Sequence, residues 1–150
     1  MSMFNGMNIT ASALTAQRLR MDVVSSNMAN IDSTRANLVD GEWQPYRRKS
    51  VILQPKEGSF ASYLNMAANR QEMGNGVKVT KIVEDTETPF KMVYDPEHPD
   101  ANGDGYVSMP NVDPLREMVD LMSATRSYEA NITVFNASKA MMTKALEIGK

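Results

Sequence analysis

Residues Asp113–Ile148, DPLREMVDLMSATRSYEANITVFNASKAMMTKALEI, decide the fold. Asp113 followed by Pro114 supplies a side-chain acceptor at an N-cap and a residue suited to the first helical position. Glu117 and Asp120 then place negative charge near the positive end of a helix dipole. No proline or glycine follows until Gly149, where a helix stop belongs. The spacing predicts one helix of about 36 residues, roughly 54 Å long. That is about three times an ordinary globular helix, so it requires a partner along its length.

The pattern of the helix indicates the partner. Met118, Leu121, Thr125, Tyr128, Ile132, Phe135, Lys139, Met142 and Leu146 step by alternating threes and fours, a seam in which Lys139 is the misfit. Leu115, Val119 and Met122 widen the apolar side at the start, and Met141, Ala145 and Ile148 at the end. Arg116, Asp120, Arg126, Glu129 and Lys144 occupy the other faces. Such a stripe is more often a plain core face than a binding surface.

Working back to the N-terminus, Asn8 to about Ile31 reads as a second helix. Met7, Leu14, Met21 and Met28 recur every seven residues, with Thr10, Gln17, Val24 and Ile31 three positions after each. Its many Ser, Thr and Asn residues compete with helical hydrogen bonding, so it needs another surface to be stable. The run Asn27–Asn37 ends it in a polar joint of side-chain-stabilised turns.

Between the helices the texture changes to short strands and turns. Arg47–Leu53, Val77–Val83 and Phe90–Tyr94 read as strands, with Trp43–Tyr46 leading into the first. Phe60–Glu72 fits a short helix or an insertion. The middle of the chain is thus a small β-rich module held between helical ends. Asp100, Asn102, Asp104 and Gly105 match the start of a calcium loop. The match then stops, because the twelfth position is Asn111 rather than a bidentate Glu, and Pro96 and Pro99 forbid an entering helix. A tight turn before Tyr106-Val107 reads these residues better.

Composition removes several classes of function. With 42% hydrophobic and 23% charged residues in 150, the chain can bury a core, though a modest one beside such long helices. A net charge of -2 makes no general electrostatic case for nucleic acid or an anionic membrane. The run Arg47-Arg48-Lys49 is expected as a solvated strand face. Absence of cysteine excludes disulfides, thiolate metal sites and thiol nucleophiles. With His98 the sole histidine, a histidine triad or multi-histidine metal site is excluded, and no cofactor is expected. Thirteen methionines suit packing against varied neighbours. No signal peptide or membrane-length apolar run is visible, which implies a cytoplasmic protein unless an uncleaved route exports it.

Five stretches carry a resemblance to a known family. Tyr94–Val107 followed by Met109–Asp113 and Glu117–Asn131, with the N-terminal Ala13–Asp22 and Ser26–Arg35, resembles the flagellar basal-body rod proteins, most of all the proximal rod members. The stretch Gly58–Gly74 carries none of it. The resemblance implies an α+β fold. Its N- and C-terminal helices would pair as an antiparallel coiled-coil-like inner domain (1–35 with 111–150), and the middle (36–110) would form a small β-rich outer domain. It implies an axial structural protein, not an enzyme, exported unprocessed through the flagellar type III pathway to the basal body. Partners would be other rod proteins, copies of itself and the export apparatus, with no nucleic acid and no direct membrane insertion. Carried onto this chain, the rod signature is Asn27, Asn30, Ser33, Thr34 and Arg35. The helix motif is Asn111, Val112, Glu117, Met118, Ala124, Arg126, Tyr128 and Asn131.

The leading expectation is therefore a subunit of a helical assembly. Its interface would be Met7, Leu14, Met21, Val24, Met28 and Ile31 on one helix, and Met118, Leu121, Tyr128, Ile132, Phe135, Met142 and Leu146 on the other. The alternative is a calcium-responsive binding module around Asp100–Asn111. No nucleophile, base and orienting group can be assembled from these residues, so a catalytic reading has no support.

Overall fold

A computed structural model describes residues 3–39, 41–56 and 74–148, so the unassigned stretch Phe60–Glu72 lies outside the described residues. Helix α1 spans Met3–Ala29 and helix α2 spans Pro114–Ile148. Between them, among the described residues, run six strands: β1 Asn37–Val39, β2 Glu42–Gln44, β3 Lys49–Pro55, β4 Val77–Glu84, β5 Lys91–Tyr94 and β6 Tyr106–Met109. They form three two-stranded sheets, β1-β2, β3-β4 and β5-β6. The two long helices pack together, which makes the fold α+β.

The helix ends follow from local chemistry. Asp113 caps α2: its carboxylate accepts the Leu115 amide at 3.1 Å and its carbonyl accepts the Glu117 amide at 3.0 Å. α1 begins five residues earlier than Asn8 and runs through Gly6, at a propensity cost of about 1 kcal/mol that tertiary packing has to exceed. It ends two residues before Ile31, where the Asn30 side chain takes the Ser26 carbonyl at 2.8 Å and competes with further helix.

One hairpin is absent from the sequence reading. β1 and β2 pair antiparallel, Leu38 opposite Trp43, around Gly41 with φ +87°. Each strand is three residues long, too short to show an alternation. The other strands lie close to expectation. β5 and β6 pair antiparallel from Lys91 opposite Met109 to Tyr94 opposite Tyr106.

By its contacts the chain divides into two units. The first comprises Arg20–Val51 and Ile82–Met122, and its core is Val23, Val24, Tyr46, Val107 and Val112. Here Arg20 meets Asp120 and Asn27 meets Glu117, so α1 and α2 run antiparallel. The second comprises Met1–Leu19, Ile52–Lys81 and Ser123–Lys150, and among its described residues the buried side chains are the small Thr10, Ala16 and Ala124. In this unit the Ser12 hydroxyl accepts the Val77 amide at 3.1 Å. A Cβ on neighbouring Gly76, at φ +91°, would collide with that hydroxyl oxygen.

Candidate assembly surface and the joint that sets it

The joint after α1 is built on Asn27, which is fully buried with all four hydrogen-bonding positions used. Its Nδ2 donates to Glu117 Oε2 and to the Lys49 carbonyl, both at 2.9 Å. Its Oδ1 accepts the Lys49 amide at 2.9 Å and the Tyr46 hydroxyl at 3.0 Å. One side chain thus ties the end of α1 to the start of β3 and to the first turn of α2. A buried amide with every position filled avoids the desolvation penalty that an unpaired one would carry.

Glu117 is also fully buried, and Arg48 Nε donates to its Oε1 at 2.6 Å. The same guanidinium reaches Asp120 Oδ2 at 3.3 Å, and Arg20 takes the other oxygen of Asp120 at 3.0 Å. Asn111 is a second buried amide: Oδ1 accepts the Arg48 amide, while Nδ2 donates to the Asp85 and Thr88 carbonyls. Asp85 binds the turn it begins, and the Thr88 amide, then the Thr88 hydroxyl, hold its carboxyl below the usual range.

The run Arg47-Arg48-Lys49 corrects the sequence reading of a solvated strand face. All three are half-buried, and only Lys49 lies within a strand. Arg47 stacks 4.4 Å over the Phe90 ring, Arg48 neutralises Glu117, and Lys49 sits 3.7 Å from Glu84. Nothing in local spacing marks Arg48, since its buried partner lies 69 positions further on.

The Asp95–Gly105 loop serves the same joint. Thr34 Oγ1 donates to Asp100 at 2.8 Å and Arg35 Nε at 2.6 Å, and these bonds, Arg35 first, lower the Asp100 pKa. Asn102 Oδ1 accepts the amides of Asp104 and Tyr106. The leading groups of the suspected calcium loop are thereby committed to protein partners, and the loop is a turn.

On α2, burial follows Glu117, Leu121, Ala124, Tyr128, Asn131, Phe135, Ser138 and Met142, stepping by four and three. Leu121, Tyr128, Phe135 and Met142 belong to the seam expected from apolarity. Its other half lies one residue off this track: Met118 is 49% exposed, Ile132 37% and Leu146 is exposed too. The difference has a physical reason. Glu117 is held inside by Arg48 and Asn27, while Asn131 and Ser138 satisfy themselves on the Ser127 and Val134 carbonyls, 2.8 and 2.9 Å away. Lys139 no longer disturbs the seam, because it is exposed. On α1, Val24 is buried, and Met7, Leu14, Met21, Met28 and, just past the helix, Ile31 are half-buried. Of the signature residues, Asn27, Asn111, Val112, Glu117 and Ala124 are buried, Asn30, Ser33, Thr34, Tyr128 and Asn131 half-buried, and Arg35, Met118 and Arg126 exposed.

A pair of long terminal helices locked by a polar joint to short hairpins is the α+β architecture that the resemblance to flagellar rod proteins implies. Residues 7–36 match the family described as flagella basal body rod protein, and residues 104–148 match the C-terminal family of flagellar basal body rod FlgEFG proteins. Over 100% of both chains, the sequence is 64% identical to the flagellar basal-body rod protein FlgC of Bacillus subtilis (strain 168). It is 46% identical to that of Salmonella typhimurium, again over both full lengths. The FlgC of Borreliella burgdorferi is 45% identical over 99% of this chain and 98% of its own. The chain belongs to the FlgC family of flagellar basal-body rod proteins.

Proposed function

We propose that this chain is a structural subunit of the proximal rod, joining the axial drive shaft by helical packing of its terminal helices. The observation that supports this reading most is the split character of α2. One track is buried within the chain, and Leu115, Met118, Val119, Met122 and Ile132 on the other sides are left exposed. Apolar surface of this extent on a single helix marks a protein interface. The packing is heterologous, one face of a subunit against a different face of the next, which extends a helical array rather than closing a small ring. The inner helical part is 1–35 with 111–150, and the outer part is 36–110. The subunit transmits torque mechanically and has no catalytic step. No described helix is long and apolar enough to cross a membrane, which is compatible with export through the flagellar type III apparatus without insertion. Its partners are that apparatus, copies of itself and other rod proteins.

The test is to place Asp at Met118 or Ile132, and separately at exposed Arg116. The first two put a carboxylate into an apolar contact between subunits. They abolish rod incorporation and motility while the melting temperature of the free protein stays within a degree or two, whereas Arg116→Asp swims. Normal incorporation of the Met118 and Ile132 variants would refute the packing mechanism.

A further inference from the structure

The nearly balanced charge of the whole chain conceals a segregation. In the first unit, Arg20–Val51 with Ile82–Met122, fourteen Asp and Glu stand against seven Lys and Arg, a net charge of -7. In the second, Met1–Leu19 with Ile52–Lys81 and Ser123–Lys150, four acids stand against nine bases, a net charge of +5. The two values add to the -2 of the chain.

Internal bonding sharpens this contrast at the surface. Six of the first unit's seven cations are held within the fold. Arg20, Arg35, Arg48 and Lys49 pair with carboxylates, Arg47 lies on the Phe90 ring, and Lys91 donates to the Val112 carbonyl. Left outside are anions: Asp22, Asp32, Glu42, Glu87, Glu97 and Asp104 are exposed, with no cationic partner among the described residues. The second unit is the reverse. Arg18, Lys56, Lys81, Arg126 and Lys139 are exposed, with no anionic partner among the described residues. Its described anions are Glu129 and Glu147, and Glu147 already holds Lys144 at 2.6 Å.

Two copies meeting through the same unit would set like charges against each other, whereas opposite units attract and steer one another on approach. A two-fold contact centred on either unit alone is thereby penalised. Charge complementarity also names the partner, because a second copy carries both surfaces and needs no other component to supply the opposite sign. We propose that, in the assembled rod, the acidic first unit of one copy lies against the basic second unit of another. This electrostatic contact is separate from the apolar packing described above, and it rests on the rod-subunit reading.

A carbodiimide, which joins a carboxylate to an amine only where the two touch, tests the contact in purified basal bodies. The expected product is a dimer of this chain in which a lysine of the second unit is linked to an Asp or Glu of the first. Dimers linked only between like units, links only to another rod component, or no link between copies would each overturn the proposal. As a second arm, Lys56→Glu, Lys81→Glu and Lys139→Glu together turn the second unit from +5 to -1. All three side chains are exposed, so the thermal unfolding of the free protein should not change. The share of the chain recovered in basal bodies should fall by more than about tenfold. Recovery at the native level would overturn the charge pairing and leave the subunit reading standing. Absence of the native chain from basal bodies would sink the subunit reading itself, so the two failures are distinguishable.

Discussion

Replacing Arg48 by Met tests whether the joint is held by its buried ion pair. The Glu117 carboxylate is fully buried and has two donors, Arg48 at 2.6 Å and the neutral Asn27 amide at 2.9 Å. Without Arg48 it keeps only the amide, and breaking one side of a buried pair costs about 3–5 kcal/mol. Asp120 loses less, because Arg20 still reaches it at 3.0 Å across a partly exposed surface worth about 0–1 kcal/mol. Against a total stability of about 5–15 kcal/mol, and about 2–4 °C per kcal/mol for a chain of this length, the melting temperature should fall by roughly 6–20 °C. Circular dichroism melts at pH 7 would measure it. Arg47→Met is the control. It forfeits only the stacking on Phe90, about 0.5–1 kcal/mol. Adding Glu117→Gln to Arg48→Met should recover part of the loss, since the unpaired charge is removed. If Arg47→Met and Arg48→Met shift the melt equally, or if Glu117→Gln restores nothing, the buried pair is not what holds the joint.

Gly76→Ala should lower stability by about 1–2 kcal/mol through its left-handed backbone alone, and more through the collision with Ser12; a Ser12→Ala background should relieve only the second part in urea melts. Asp85 and Asp100 are held below the usual carboxylate range in the fold, so each contributes stability above an unfolded pKa near about 4 that is lost as pH falls through the lower folded value. Stability should therefore not depend on these groups from pH 7 to 5 and should decline below about pH 4, with Asp85→Asn and Asp100→Asn flattening that acid limb. Acid limbs of unchanged steepness in both variants would count against the two turns. Titrating calcium into the protein should give no saturable heat at sub-millimolar concentration, because Asp100 is already held by Arg35 and Thr34; a one-to-one isotherm would reopen the calcium reading.

What the sequence made legible was whatever depends on neighbours in the chain. The Asp113 cap and the uninterrupted run to Ile148 placed α2 within a residue, and Asn-Gly-Asp-Gly marked the turn before β6. What it hid depends on distant partners or on very short elements. Arg48 looked like one of three surface cations because its carboxylate lies 69 residues away, and Glu117 looked like a dipole-compensating first-turn residue. The hairpin Asn37–Gln44 was invisible because three residues per strand show no alternation. Asn27 was legible as part of a polar joint, but its connection to Lys49 and Tyr46 was not.

The exposed half of the α2 seam bears on the function proposed above. Two candidate tracks flank the shared line Leu121, Tyr128, Phe135 and Met142. One carries Glu117, Ala124, Asn131 and Ser138; the other carries Met118, Thr125, Ile132 and Lys139. Burial of apolar area alone favours the second, since Met118 and Ile132 would each contribute about 1.5–3 kcal/mol if fully buried. The fold buries the first instead, and the network of Glu117 with Arg48 and Asn27 is what reverses the preference. A rotation of α2 by one residue would bring Met118 inward, but Met118 and Ile132 are only 49% and 37% exposed, so full burial would add about 1–3 kcal/mol, less than the roughly 3–5 kcal/mol lost by tearing a buried carboxylate from its guanidinium. Here the buried polar groups fix helix register, the role for which such groups are best attested. With register held by polarity at one end, Met118 and Ile132 are kept outside, where the packing between subunits proposed above would use them. A subunit that buried its most apolar track internally would be the more stable monomer and the poorer building block.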